Sequence, residues 1–221
     1  MTIKNLASFL DNANHNPSST ETEIRQLCDE VLQYGFNSAF VNSCWVKFAW
    51  EQLQGKGKVG TVISFPLGQD TTEAKVFAAI KAIKNGADEL DISANVGWLK
   101  EGREEDYLGE MIQITRAVKK EDPKKIVKFI IEACLLNEEE IKKASYFVFQ
   151  SGADFVKTTS GAGPNDAKIE YVRIINQAVG DKIRIKAAGG IHTAEQVRKY
   201  LAAGADRIGT SKAVEIVSRS S

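Results

Sequence analysis

The 221-residue sequence is poor in the residues from which most metal centres and proton relays are built. It holds two histidines, His15 and His192, and three cysteines, Cys28, Cys44 and Cys134, with no short metal-type spacing among them. Metal sites rich in histidine and relays of several histidines are therefore disfavoured. An odd set of scattered thiols suits a reducing, cytoplasmic setting better than a disulfide framework. No apolar run approaches the ~18 residues that cross a bilayer, and the opening MTIKNLASFLDNANHN lacks the apolar core of an export signal. Excess charge is missing too. Twenty-nine Lys and Arg face 29 Asp and Glu, which argues against nucleic acid or a membrane as partner but leaves room for one basic pocket. The four prolines are dispersed and no segment reads as a linker, so one domain over 1–221 is expected.

What is present is a repeated phrase. Tyr-Gly-Phe-Asn at 34–37, Asn-Gly-Ala-Asp at 85–88, Ser-Gly-Ala-Asp at 151–154 and Ala-Gly-Ala-Asp at 203–206 each stand between a helical pattern and a short apolar run. Glycine at the left-handed position that ends a helix, with a strand beginning shortly after, is the mark of successive βα units. Helical faces are read at Val76, Phe77, Ile80 and Ile83, at Leu108, Met111, Ile112 and Thr115, at Ile141, Ala144 and Val148, and at Ala194, Val197 and Leu201. Thr20-x-x-Glu23, Asn137-x-x-Glu140 and Thr193-x-x-Gln196 predict capped helix starts. Strands are predicted at 7–10, 37–42, 59–65, 88–93, 126–132, 154–158, 183–187 and 206–209. Eight strands alternating with about eight helices point to an α/β fold, a (β/α)8 TIM barrel. An open doubly wound sheet is the second choice, weakened because no G-x-G-x-x-G follows the first strand.

Several of these strands carry charges, which are costly in a sheet covered on both sides unless they are paired or used. They are Asp91, Lys128, Glu132, Lys157, Arg184 and Lys186. Ion pairing accounts equally well for Lys128 or Glu132 taken alone. Alternation of Ile183 and Ile185 with Arg184 and Lys186 turns both cations into the barrel if the isoleucines meet the helices. Lys157 is the sharpest candidate. At an ordinary pKa near 10.4, fewer than about one lysine in a thousand is neutral at pH 7. Burial and a second cation both lower that pKa, and Lys186 on the next strand is placed to be that cation. Asp91 offsets part of the charge and can move protons through water.

Glycine-rich segments follow the last strands: Ala188-Gly189-Gly190-Ile191, Gly209-Thr210-Ser211-Lys212, and Gly161 with Gly163. Loops after strands seven and eight form the recurrent phosphate cradle of such barrels. Trp45, Trp50, Phe147 and Phe149 read as packing residues, and His192 as a rim residue. Residues 119–125, KKEDPKK, read as a solvated loop, and Cys44 and Cys134 as buried or half-buried thiols.

Phe155-Val-Lys-Thr-Thr-Ser-Gly161 resembles the Schiff-base strand of the deoxyribose-phosphate aldolases, class I aldolases on the TIM-barrel fold. Similar blocks run in the family's order along nearly the whole chain. They include Val62-Ile-Ser-Phe-Pro-Leu-Gly68, Asn85-Gly-Ala-Asp-Glu-Leu-Asp91, Asn95-x-Gly97-x-Leu99-Lys100, Ile130-Ile-Glu-Ala-Cys-Leu-Leu136, Ile185-Lys-Ala-Ala-Gly-Gly-Ile191 and Arg207-Ile-Gly-Thr-Ser211. The resemblance implies reversible cleavage of 2-deoxy-D-ribose 5-phosphate to D-glyceraldehyde 3-phosphate and acetaldehyde, with no metal or other cofactor. It implies Lys157 as nucleophile, Lys186 as its tuner, and Asp91 as the end of the proton relay. Asp11, Thr158, Gly161, Gly189, Gly190 and Ser211 are implied as substrate contacts, and a dimer or tetramer as a possible assembly. The chain departs from the family pattern at Asn12-Ala-Asn-His-Asn16, Phe40, Ser43, His192 and Lys212. Two alternatives stay open: a Schiff-base aldolase with another aldehyde preference, and a sugar-phosphate-binding barrel without turnover.

Overall fold

The computed structural model describes residues 6–218. Eight parallel strands close on themselves in sequence order, β1 (Leu10–Asn14), β2 (Ser38–Val41), β3 (Lys58–Ile63), β4 (Glu89–Ser93), β5 (Ile126–Ile130), β6 (Phe155–Lys157), β7 (Arg184–Ala188) and β8 (Arg207–Thr210). The last strand pairs back onto the first, with Asp11 opposite Gly209. The barrel is therefore closed, and the open-sheet alternative falls.

The predicted first strand, 7–10, is displaced. Leu6 and Ala7 lie in a buried helical turn, and the strand proper is Leu10–Asn14. Its sequence, LDNAN, has the polar inward residue Asp11 where an apolar one is usual, so a search for apolar strand residues stops one element early.

The helix signals act as their chemistry requires. Thr20, Asn137 and Thr193 each cap a helix start, and Glu23, Glu140 and Gln196 return the bond to the cap backbone. At the other ends Gly35, Gly86, Gly152 and Gly204 have φ of 71°, 106°, 76° and 109°, a region that side chains disfavour. Each stands three residues before the first residue of β2, β4, β6 or β8. The acidic residue of the phrase has its own task. Asp88, Asp154 and Asp206 accept the backbone N–H of Val59, Val127 and Ile185 at 3.1, 2.8 and 2.8 Å, tying each even strand to the odd one before it. Residues 119–125 are not simply solvated. Helix Glu104–Glu121 runs into them, and Lys119 and Lys125 pair with Asp154 (2.7 Å) and Asp88 (2.9 Å).

Helix Thr72–Lys84 corrects another expectation. Phe77, expected on the buried face, is 74% exposed, whereas Lys75 is buried together with Ala79, Ala82 and Ile83. Lys75 donates to the carbonyls of Gly68 (2.7 Å) and Ser93 (3.1 Å) and pairs with buried Glu110 at 2.6 Å. A charge therefore replaces an apolar residue because three acceptors await it, joining the loop after β3 to the end of β4. Trp50 is half exposed but covers Gly86, where any Cβ would lie 2.4 Å from the indole. Cys44 is exposed, not buried, and Cys134 is half-buried. Replacing Lys75 by Met strands Glu110 in the interior, and we expect a loss of about 3–5 kcal/mol in urea unfolding. The joint replacement of Lys75 by Met and Glu110 by Leu is expected to recover most of it.

Candidate active site

Strand register assembles the site. Asp91 pairs with Lys128 across β4 and β5, and Lys157 pairs with Lys186 across β6 and β7. Inward positions alternate along each strand, so Phe155 and Lys157 on β6, and Arg184 and Lys186 on β7, stack in successive layers. Both cations of β7 face inward as expected, but Arg184 lies at the exposed N-terminal rim with its guanidinium 4.1 Å from the Phe155 ring.

Asp91 is fully buried and is shared by three ammonium groups. Its Oδ2 lies 2.8 Å from Lys157 Nζ and 2.7 Å from Lys186 Nζ, and its Oδ1 lies 3.1 Å from Lys128 Nζ. Lys128 also pairs with Glu89 (2.6 Å), and Lys186 with Asp11 (2.6 Å), which in turn accepts from Arg207 (2.8 Å). The largely buried part of this linked set holds four cations, Lys128, Lys157, Lys186 and Arg207, against three carboxylates, Asp11, Glu89 and Asp91, while half-exposed Lys58 reaches Glu89 from the rim at 3.7 Å. The buried part balances when one lysine is neutral. Lys128 is thus the ion-pair partner that its sequence position allowed.

Burial pushes the Lys157 amine down to about 8. The nearby Lys186 and Lys128 charges act in the same direction, and Asp91 opposes them. At pH 7 about one amine in ten is then neutral, two orders of magnitude more than for an ordinary lysine. Burial works against the Asp91 carboxylate, but the three lysines hold it well below the usual carboxylate range. Phe40 covers the cluster with its ring centroid 3.6 Å from Lys186 Nζ and 4.7 Å from Lys128 Nζ. Gly60 makes room for that ring, because a Cβ there would come within 2.2 Å of it.

Above the lysines opens a cavity of about 840 Å³. Lys157 and Lys186 reach it, as do Gly161, Gly189, Gly190 and Ser211, the expected glycine-rich contacts, while His192 and Lys212 stand at its edge. Gly161, Gly189 and Gly190 have φ of 82°, 101° and 70°, and a Cβ on Gly190 would strike the Asp166 carboxylate at 2.2 Å. Two expected contacts are placed elsewhere. Thr158 is buried against the backbone of Ala188 on β7, and Asp11 lies below the cavity among the ion pairs. Glu132 is not part of the ion-pair set. It sits just after β5 at φ 50° and accepts the Ser160 N–H at 3.1 Å, which anchors the loop carrying Gly161.

Two residues to which the sequence assigned no role at the site also form the walls. Phe65, expected at the end of a strand over 59–65, lies in the loop after β3, which ends at Ile63, with its ring 5.8 Å from Lys157 Nζ. His15 packs on Phe65 at 5.3 Å between centroids and edge-on to Phe40 at 6.4 Å. Both lie in loops just beyond the ends of β3 and β1, and only loop geometry brings them in. Among the described residues no group of three or more His, Cys, Asp or Glu is arranged to hold a metal ion.

Fold and site together define a (β/α)8 barrel equipped for amine-nucleophile chemistry at the C-terminal ends of its strands. Residues 7–212 match the model of the DeoC/LacD family aldolases. A deoxyribose-phosphate aldolase of Thermococcus gammatolerans is 47% identical over 215 residues, 96% of this chain and 95% of that protein. One of Thermoanaerobacter sp. (strain X514) is 43% identical over 214 residues, 96% of each. The tetrameric deoxyribose phosphate aldolase from Aeropyrum pernix superimposes with a TM-score of 0.90 at 30% identity, over 98% of this chain and 91% of that one. The chain belongs to the DeoC/LacD aldolase family, and its chemistry is that of a carbon–carbon lyase. Among the described residues no helix is long and apolar enough to cross a membrane.

The pKa of Lys157 is open to direct measurement. Trapping of acetaldehyde by borohydride at Lys157 is expected to rise through a midpoint near pH 8. Lys186 holds that midpoint down, so Lys186→Met is expected to move it about one pH unit higher. An unchanged midpoint would remove Lys186 from this role.

Proposed function

We propose that this protein is a class I aldolase that reversibly cleaves 2-deoxy-D-ribose 5-phosphate to D-glyceraldehyde 3-phosphate and acetaldehyde. The observation that carries the reading is the buried Lys157 amine, held at about 8 beside Asp91 and Lys186. The neutral amine adds to the C1 aldehyde, and the carbinolamine loses water to give a protonated imine. The C3 hydroxyl then gives up its proton, the C2–C3 bond breaks, and its electron pair enters the imine to form an enamine. Glyceraldehyde phosphate departs, the enamine is protonated at C2, and water releases acetaldehyde and Lys157. Asp91 and Lys186, in contact at 2.7 Å, are the proton carriers of this reading.

The glycine-rich loops after β6, β7 and β8, with Ser211, receive the phosphate, whose oxygens need closely approaching backbone N–H groups. Glu132 works at one remove by holding the Ser160 turn. A homo-oligomer, dimer or tetramer, belongs to the same reading and draws support from the tetrameric Aeropyrum pernix relative. Three free thiols are consistent with a cytoplasmic setting.

Lys157→Ala is expected to abolish turnover, measured by coupled detection of glyceraldehyde 3-phosphate; retained activity refutes the assignment. Glu132→Ala is expected to raise KM for deoxyribose 5-phosphate about tenfold, with a smaller effect on unphosphorylated deoxyribose. Equal effects on both substrates would detach the Glu132 anchor from phosphate binding.

A further inference from the structure

We propose that His15 determines acceptor specificity by hydrogen-bonding the C4 hydroxyl of the sugar phosphate, the 2-hydroxyl of the glyceraldehyde phosphate half. The inference rests on the aldolase reading above and adds a residue to it. His15 follows the last residue of β1 and lines the cavity that Lys157 enters. Its imidazole and the Lys157 amine approach the same Phe65 ring, at 5.3 and 5.8 Å from the ring centroid. Its Nδ1 has almost no accessible surface and makes no hydrogen bond within the protein. A buried polar atom without a partner is rare, and a turn of the ring toward the adjoining cavity lets a bound hydroxyl complete it.

The chemistry selects the hydroxyl. Burial and the neighbouring Lys157 charge push the imidazole down to about 3, so it is neutral at working pH. It is then neither a cation for phosphate nor a base strong enough to take the C3 proton, which Asp91 and Lys186 are placed to handle. A neutral imidazole carries one donor and one acceptor, and so does a hydroxyl. The C4 hydroxyl is a spectator of bond cleavage and needs a partner that does not titrate. A site that leaves a buried polar atom unpaired discriminates against a substrate lacking the matching hydroxyl.

The test compares acetaldehyde addition to D-glyceraldehyde 3-phosphate with addition to 3-oxopropyl phosphate, the same acceptor without its 2-hydroxyl. His15→Leu is expected to lower kcat/KM about tenfold for the hydroxylated acceptor and to leave the other within about twofold. His15→Gln, which restores a donor and an acceptor, is expected to recover part of the ratio. A ratio unchanged in both variants overturns the assignment, and so does an equal loss on both acceptors, the mark of a purely structural histidine. Borohydride trapping separates the two levels. An acetaldehyde adduct on Lys157 of the unaltered enzyme with an unchanged ratio refutes His15 alone, whereas no adduct there refutes the aldolase reading and the role of His15 with it.

Discussion

A carboxylate with no exposed surface, Asp91, contacts three ammonium groups within 3.1 Å, and the interior of this barrel is organised around it. Burying one carboxylate in a protein interior costs several kcal/mol unless cations compensate it, and burying several lysines is no cheaper. Each charge here makes the others tolerable. The buried set of four cations and three carboxylates carries one proton more than neutrality requires. Burial favours its loss from Lys157, which contacts Asp91 as its one carboxylate, whereas Lys128 has Glu89 as well as Asp91, and Lys186 has Asp11. The reactivity of one amine is thus a property of the whole buried set.

The fold supplies the geometry that such a set demands. Parallel strands in closed order put Asp91 beside Lys128 and Lys157 beside Lys186 by register alone. The aspartates of the repeated helix-ending phrase hold that register by taking backbone N–H groups from the preceding strands. Phe40 packs its ring against the Lys186 and Lys128 ammonium groups, and Gly60 leaves the space it occupies. Around this rigid floor the walls are loops: Phe65 and His15 on one side, and the glycine segments on the other. In the function proposed, the floor supplies the reacting amine and the walls meet the rest of the substrate.

Much of this was legible from residue order. Capping boxes at Thr20, Asn137 and Thr193, and glycines closing helices at 35, 86, 152 and 204, are local devices, decided by residues within four positions of one another. They need no knowledge of the fold. Charged residues in strands were visible for a related reason: in a sheet covered on both faces, a lysine contradicts its surroundings unless it has a use. What escaped were features whose cause lies far along the chain. Lys75 stood outside the apolar face read at Val76, Phe77, Ile80 and Ile83 because its acceptors, Gly68, Ser93 and Glu110, belong to other elements. β1 was misplaced because Asp11, its inward residue, answers to Lys186 and Arg207 almost two hundred positions away. Thr158 and Asp11, expected as substrate contacts, do not line the cavity: Thr158 turns to the backbone of Ala188 and Asp11 to Lys186 and Arg207.

The sequence by itself determined the barrel class, the beginnings and ends of its helices, and the kind of chemistry available, because period, capping and charge-in-strand are carried by neighbouring residues. Only the tertiary structure decided which charges meet and therefore which lysine is free to lose its proton. It also decided that a histidine after β1 ends with a buried, unpartnered nitrogen beside that amine. Those outcomes depend on distances of about 3 Å between residues from different strands and loops, and such distances exist only once the barrel has closed.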